Sequence, residues 1–274
     1  MCKEYKICQY NIREVQNKLL VILLEVDRIC RKYDIKYTIE GGTLLGAIKY
    51  KGFVPWDDDI DIVMLRDHYE RFLFLCKTEL KSNFFLQNSK SKKEYTLQYS
   101  KLCMNHTLYV QENSKHLNIH HGLFIDIFPI DNINIKTFKY HLACIRGISG
   151  AIDYKVNKKY SVNKLKSKNF LKNLLCKSLS HLSFTRLNKI SYNLMTYYNK
   201  KRTSHIFELC TGKITVNPLE RYIYEELIEV EFMGEMVFAT KHYNEFLYSR
   251  FGDINKLPPI DKRVPSHNII KCKL

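Results

Sequence analysis

Ile12, Val15, Leu19, Ile22, Leu23, Val26, Ile29 and Cys30 recur at three- and four-residue spacing, which predicts an amphipathic helix over residues 12–32 with one face on a core. "KYTIE" (36–40) follows as a short strand, and Gly41-Gly42 marks a break where the backbone can turn sharply. Thr43 is a suitable N-cap for a brief helix over "LLGAIKY", and "KGFVPW" is a loop in which Pro55 extends the residue before it. In "DIDIVML" (59–65) carboxylates alternate with Ile and Val, the pattern of a strand that puts Asp59 and Asp61 on one face. Helical spacing returns over 67–80, with Asp67 near its start. "NFFLQ", "YTLQYSKLCM" and "HTLYVQE" have strand character, and "GLFIDIFPID" places Asp126 in a buried strand. Residues 135–202 turn helical and basic, and a helix over about 241–251 ends at Gly252. The elements together predict an α/β or α+β fold, a mixed sheet carrying Asp59, Asp61 and Asp126 with flanking helices and a helical insertion.

Composition bounds the class. The 274 residues are 45% hydrophobic and 13% aromatic with only six Pro and ten Gly, enough to build a substantial core and incompatible with a disordered or collagen-like chain. Nine scattered cysteines without a CxxC pair predict reduced thiols, and the start of the chain lacks the apolar stretch of a signal peptide. The longest apolar run, "LLVILL", is six residues, so a cytoplasmic chain that spans no membrane is expected, with peripheral contact at the inner face left open. Net charge is +16, and residues 135–215 hold 17 Lys and Arg against two acidic residues, so nearly the whole excess lies there. That segment suits nucleic acid, an anionic membrane surface or an acidic glycan carrier, and equally a solvated lysine-rich helical face.

The candidate chemistry lies in "VPWDDDIDIVM". Asp57, Asp58, Asp59 and Asp61 fall within five positions among Val, Trp, Ile and Met, where like charges repel unless a cation joins them. Two carboxylates at i and i+2 on a strand, with a third from a neighbouring strand, make a hard-oxygen cage for Mg²⁺ or Mn²⁺, and Asp59, Asp61 and Asp126 fit that description. Asp57, taken alone, suits a turn or solvent, and Asp126 taken alone could be a hydrogen-bonded core carboxylate. Gly41, Gly42 and Thr43 allow backbone amides to approach phosphates, and Lys49, Lys51 and Lys101 are candidate phosphate contacts on a chain where most lysines are solvated. Trp56, the only Trp, either packs its loop or offers a π face to a base or quaternary ammonium. His120-His121 lacks partners at metal-ligand spacing.

"GGTLLGAIKYKGFVPWDDDIDI" closely resembles the signature of the LicD/fukutin family, with further resemblance in "GLFIDIFPID" and "YSRFGDINKLPP". The resemblance runs over residues 19–131 and 232–267 and leaves the basic middle uncovered. It implies a nucleotidyltransferase-like core over 1–134; the residue pattern itself gives the basic helical elaboration over 135–215, and a C-terminal helix and loop over 216–274 is expected to pack back on the core. It further implies transfer of a phospho-alcohol, in the type case phosphocholine from CDP-choline, to a sugar on a surface glycan or glycolipid such as lipopolysaccharide or capsule, with Asp59, Asp61 and Asp126 holding Mg²⁺. A nucleotidyltransferase acting on a small molecule or RNA would use the same carboxylates. A basic nucleic-acid-binding protein is the remaining alternative, disfavoured by the absence of interleaved aromatics at base-reading spacing. Tyr243, Tyr248, Arg250, Asp253 and Arg263, in the C-terminal motif region, either stabilise that helix and loop or touch substrate.

Overall fold

The computed structural model describes residues 10–160, 170–212 and 217–274; the expected leaderless start (1–9) and parts of the basic segment (161–169 and 213–216) lie outside the described residues. The expected first helix is α1 (Ile12–Lys32), capped by Asn11, whose Oδ1 accepts from the Arg13 amide at 3.0 Å. Val15, Leu19, Ile22, Leu23, Val26 and Ile29 on its apolar face are fully buried.

β1 (Thr38–Ile39) leads into α2 (Gly41–Tyr50). Contrary to expectation Thr43 is not the N-cap: the helix starts at Gly41, where φ is +57°, and Glu40 occupies the cap position. Glycine permits that sharp entry, which moves Thr43 inside the first turn, where its Oγ1 accepts from the Asp61 amide at 3.0 Å. β2 (Asp61–Leu65) begins two residues later than the alternation predicts, because the ladder with its neighbours reaches only as far as Asp61. α3 (Arg66–Glu79), β3 (Phe84–Gln87), β4 (Ser100–Met104) and β5 (Leu108–Gln111) follow. Residues 95–99, expected in β4, lie outside the ladder, since β3 runs out at Gln87 opposite Lys101.

β6 (Phe124–Asn132) is the centre of the sheet, and every one of its residues is buried. The sheet order is β1-β2-β6-β4-β3, with β2 and β6 parallel and the other pairs antiparallel. Pro129 sits inside this central strand because it falls between the end of the β4 ladder at Ile127 and the next neighbour's start at Asp131, where no antiparallel partner is opposite.

The helical segment is α4 (Phe138–Lys159), α5 (Phe170–Leu179) and α6 (Phe184–Met195), with a small core of its own around Ile148, Ala151, Ile152 and Leu187. It is tied to the sheet at Asp131, which is fully buried, takes a two-pronged ion pair from Arg66 at 2.8 and 2.6 Å and accepts from Asn199 at 2.6 Å. β7 (His205–Phe207) extends the sheet beside β6 and pairs with β8 (Leu219–Glu220). After α7 (Tyr222–Glu225) come β9 (Leu227–Phe232) and β10 (Glu235–Thr240), a hairpin whose two loop residues, Met233 and Gly234, both have positive φ. α8 (Tyr243–Phe251) ends at Gly252, as expected, and β11 (Ile269–Lys273) pairs with β5 away from the main sheet. Phe232, Val237, Phe246 and Ile269 join the same core as α1 and β6, so the C-terminal part closes over the acidic loop.

Candidate active site

The acidic stretch is a loop held on all sides by backbone and side-chain bonds. Gln16 of α1 donates to the Asp57 carbonyl at 2.9 Å, the Asp57 amide closes a turn on Val54, and the Ile60 carbonyl accepts from the Asp126 amide at 2.9 Å. Asp61 stands opposite Asp126 in the parallel pair β2–β6, so register alone makes these carboxylates neighbours.

Among the described residues, the carboxylates that offer oxygens all within 4.8 Å of one another are Asp57, Asp58 and Asp59. The expected trio of Asp59, Asp61 and Asp126 does not converge as tightly as that set, and Asp61 and Asp126 stand around it. Asp58 is already saturated. Its Oδ2 accepts from Tyr10 at 2.9 Å and Tyr109 at 2.7 Å, and its Oδ1 accepts from the Ser266 amide at 3.1 Å and from His267 Nδ1 at 3.2 Å. Burial works against its charge, but His267, Tyr109 and Tyr10 outweigh that and hold its pKa below the usual carboxylate range. Asp58 is therefore an anchor between α1, β5 and the C-terminal segment. His267 is correspondingly held above the ordinary imidazole range, because its bond to Asp58 and the nearby Asp59 overcome the effect of burial.

The other carboxylates have fewer partners: His267 Nδ1 lies 3.8 Å from Asp59 and Lys101 bonds Asp126. Burial, followed by the nearness of Asp59, pushes Asp57 up to about 9. Asp61 is raised well above its ordinary value by burial and then by Asp59, Asp126, Glu40 and Asp57. Asp126 is raised by burial although Lys101 opposes the shift from 2.6 Å, Nζ to Oδ1. Such a set fits a hard divalent cation: Asp57, Asp59 and Asp61, with Asp126, could hold Mg²⁺ or Mn²⁺, whose charge would relieve their repulsion.

The glycines make room for these oxygens. A Cβ on Gly42 would lie 2.4 Å from Asp57 Oδ2, and one on Gly41 would lie 3.5 Å from Asp61 Oδ2. Of the candidate phosphate contacts, Lys101 is buried, paired with Asp126, and 3.4 Å from the Phe124 ring centroid. Lys49 instead donates to the Ile254 carbonyl at 2.6 Å, and Lys51 pairs with Glu231 at 3.0 Å. Trp56 is half-buried beside the cluster with the Arg263 guanidinium 5.7 Å from its ring centroid. Single-residue reasoning misses Asp58 as an anchor, Glu40, and the approach of Arg250 and His267; the signal was the C-terminal motif, whose contacts span about 200 positions of sequence.

The site thus sets paired acidic residues on adjacent parallel strands of a mixed sheet, with a Gly-Gly helix entry beside them. Residues 34–160 match the family described as LicD/FKTN/FKRP, nucleotidyltransferase domain, which supports placing the chain with the LicD/fukutin family. It is similar to the lipopolysaccharide cholinephosphotransferase LicD of Haemophilus influenzae, 27% identical over 93% of this chain and 96% of the relative. An uncharacterized protein of Rickettsia prowazekii is 31% identical over 28% of this chain and 36% of its own length, and one of Rickettsia typhi is 35% identical over 25% and 23%.

Proposed function

We propose that this chain transfers a phospho-alcohol, phosphocholine from CDP-choline in the reading best supported, to a sugar hydroxyl of a cell-surface glycan or glycolipid, with Mg²⁺ or Mn²⁺ as cofactor. The observation that carries it is the set of buried carboxylates at the heads of β2 and β6, left without enough cations by the protein itself, in a chain whose residues 34–160 match this family. The Haemophilus relative, similar over nearly its whole length, supports the choice of phosphocholine and lipopolysaccharide.

When bound, the cation would neutralise the diphosphate and the charge that develops on the departing CMP. The residues would do the rest. Asp57, Asp59 and Asp61 would hold the cation, while Lys101 orients Asp126 from 2.6 Å and opposes the burial that raises its pKa. The acceptor hydroxyl attacks the phosphorus bearing choline; the new phosphoester bond forms as the bond to CMP breaks, and Asp126, its basicity raised by burial, takes the hydroxyl proton. Trp56, half-buried beside this point, has an aromatic face suited to a quaternary ammonium, which would take the place of the Arg263 guanidinium now over its ring.

The test is release of CMP from CDP-choline, with CDP-ribitol and CTP for comparison, in the presence of choline-free lipooligosaccharide acceptor. CMP release that needs acceptor and divalent metal supports the reading, whereas pyrophosphate release from CTP would replace it with nucleotidyl transfer. Turnover unaffected by a chelator would remove the metal.

A further inference from the structure

Arg250, on α8, belongs to none of the functions assigned above. Its side chain is 21% exposed, and its guanidinium lies against the entry to α2: a Cβ on Gly41 would be 3.6 Å from Nη2 and 3.7 Å from Cζ, as well as 3.5 Å from Asp61 Oδ2. Gly41 thus separates a metal-site carboxylate from a guanidinium by little more than one atom's width.

The protein holds this guanidinium by charge and not by hydrogen bonds. Its closest carboxylate contact, Nη1 to Glu40 Oε1, is 3.7 Å, too long for a hydrogen bond, and the same oxygen already accepts from the Tyr224 hydroxyl at 2.6 Å. Among the described residues no group accepts a hydrogen bond from Arg250, so this part-exposed fork of N–H groups is balanced only by the charges of Glu40 and Glu208 and can turn to a ligand. The cavity beside it, lined by Glu40, Glu208 and Tyr224, measures ≈ 10 Å³ and has room for a single water, so no ligand fits there. On its other side the guanidinium adjoins Gly41 and the partly exposed Asp61.

We propose that Arg250 is the anchor for one phosphate of the donor, its planar fork taking two phosphate oxygens beside the metal carboxylates. A fork matches tetrahedral phosphate oxygens in a way that a lysine cannot, and an anion there is repelled by Glu40 and Asp61 in the empty protein but not once a cation neutralises them. Metal and phosphate should therefore bind together. The assignment rests on the phosphoryl-transfer reading of the neighbouring carboxylates.

The experiment is calorimetric titration of wild type, Arg250→Gln and Arg250→Lys with pyrophosphate, CDP-choline and cytidine, each with and without Mg²⁺, after checking that each variant keeps the wild-type unfolding midpoint. The expected result is Mg²⁺-dependent pyrophosphate and CDP-choline binding weakened about tenfold or more in Arg250→Gln and less in Arg250→Lys, with cytidine unaffected. Equal binding of pyrophosphate by wild type and Arg250→Gln, or no pyrophosphate binding by wild type with Mg²⁺, overturns the assignment. If Arg250→Gln does not fold, Arg250→Lys decides: unchanged affinity for pyrophosphate overturns it, and a loss upholds it. Pyrophosphate binding that needs Arg250, with CDP-choline bound no better than pyrophosphate, upholds the anchor and sinks the cytidine-donor reading.

Discussion

Asp58 commits both its oxygens to protein donors, whereas Asp57, Asp59 and Asp61 repel one another with only His267, 3.8 Å from Asp59, to offset it, and the two situations predict opposite outcomes of substitution. Asp58→Ala strands Tyr10, Tyr109 and His267 around a vacated position and should cost about 3 kcal/mol or more, read as a lower urea midpoint at unchanged m. Asp61→Asn removes a carboxylate whose ionisation the fold resists, so the unfolding midpoint measured in EDTA should rise, even as CMP release falls about a hundredfold or more. Asp59→Asn should lose activity alike. An Asp61→Asn protein with wild-type turnover would remove Asp61 from the machinery. From sequence, the alternation of charge with Ile and Val identified Asp59, Asp61 and Asp126 as embedded carboxylates, because burial of charge leaves a local pattern. Asp57 and Asp58 were not separable by the same means: one is repelled by its neighbours and the other is saturated by Tyr10, Tyr109 and His267, and those partners come from three distant parts of the chain.

Glu94 shows how an element is held by charge outside the site. It accepts from the Asn118 amide at 2.8 Å and is bonded to Lys159 and Tyr160, joining the loops that follow β3 and β5 to the end of α4. Some burial opposes its charge, but Lys159, Tyr160 and Asn118 prevail and lower its pKa to about 2. A depressed carboxylate contributes stability that is fully present above its unfolded pKa of roughly 4.3 and is lost as pH falls towards the folded value. Wild type should therefore be more stable than Glu94→Gln at neutral pH, with the two urea midpoints converging between about pH 4 and pH 2; a constant gap across that range would exclude ionisation as the cause. At this scale the helices were legible, since α1, α3, α4 and α8 each carry a 3.6-residue stripe or a terminal glycine. The hairpin of β9 and β10 was not, because its turn takes positive φ at Met233 where an Asn would have signalled it, and the Met233 amide is fixed instead by the Lys51 carbonyl at 2.7 Å. Thr43 misled because an N-cap residue and a residue that clips a helix to a strand look the same in sequence.

Across the whole molecule, charge and chemistry are segregated. The acidic cluster lies where β2 and β6 meet, while most of the net +16 belongs to residues 135–215, whose Asn199 reaches the Arg66–Asp131 pair at the far end of β6. Among the described residues no helix is long and apolar enough to cross a membrane. At the start of α4, Lys136 and Lys139 are exposed next to Ile135 at 51% and Tyr140 at 79% exposure, and α5 leaves Leu174 and Leu175 half-exposed near Lys177. Apolar and aromatic side chains among lysines suit the interface of an anionic bilayer, where each basic residue near the surface contributes about 1 kcal/mol. If a lipid-linked glycan is the acceptor, binding through this segment would confine the enzyme to the surface that carries its substrate. The chain should then sediment with phosphatidylglycerol-containing vesicles and not with pure phosphatidylcholine, and the association should fade as salt shortens the screening length. Replacing Lys136, Lys139 and Tyr140 together by Gln, Gln and Ser should weaken sedimentation about tenfold or more while CMP release with a detergent-solubilised acceptor stays at the wild-type level. Equal binding to both vesicle types, or a loss of soluble turnover in the triple variant, would instead make this face part of the acceptor site or a solvated surface with no membrane role.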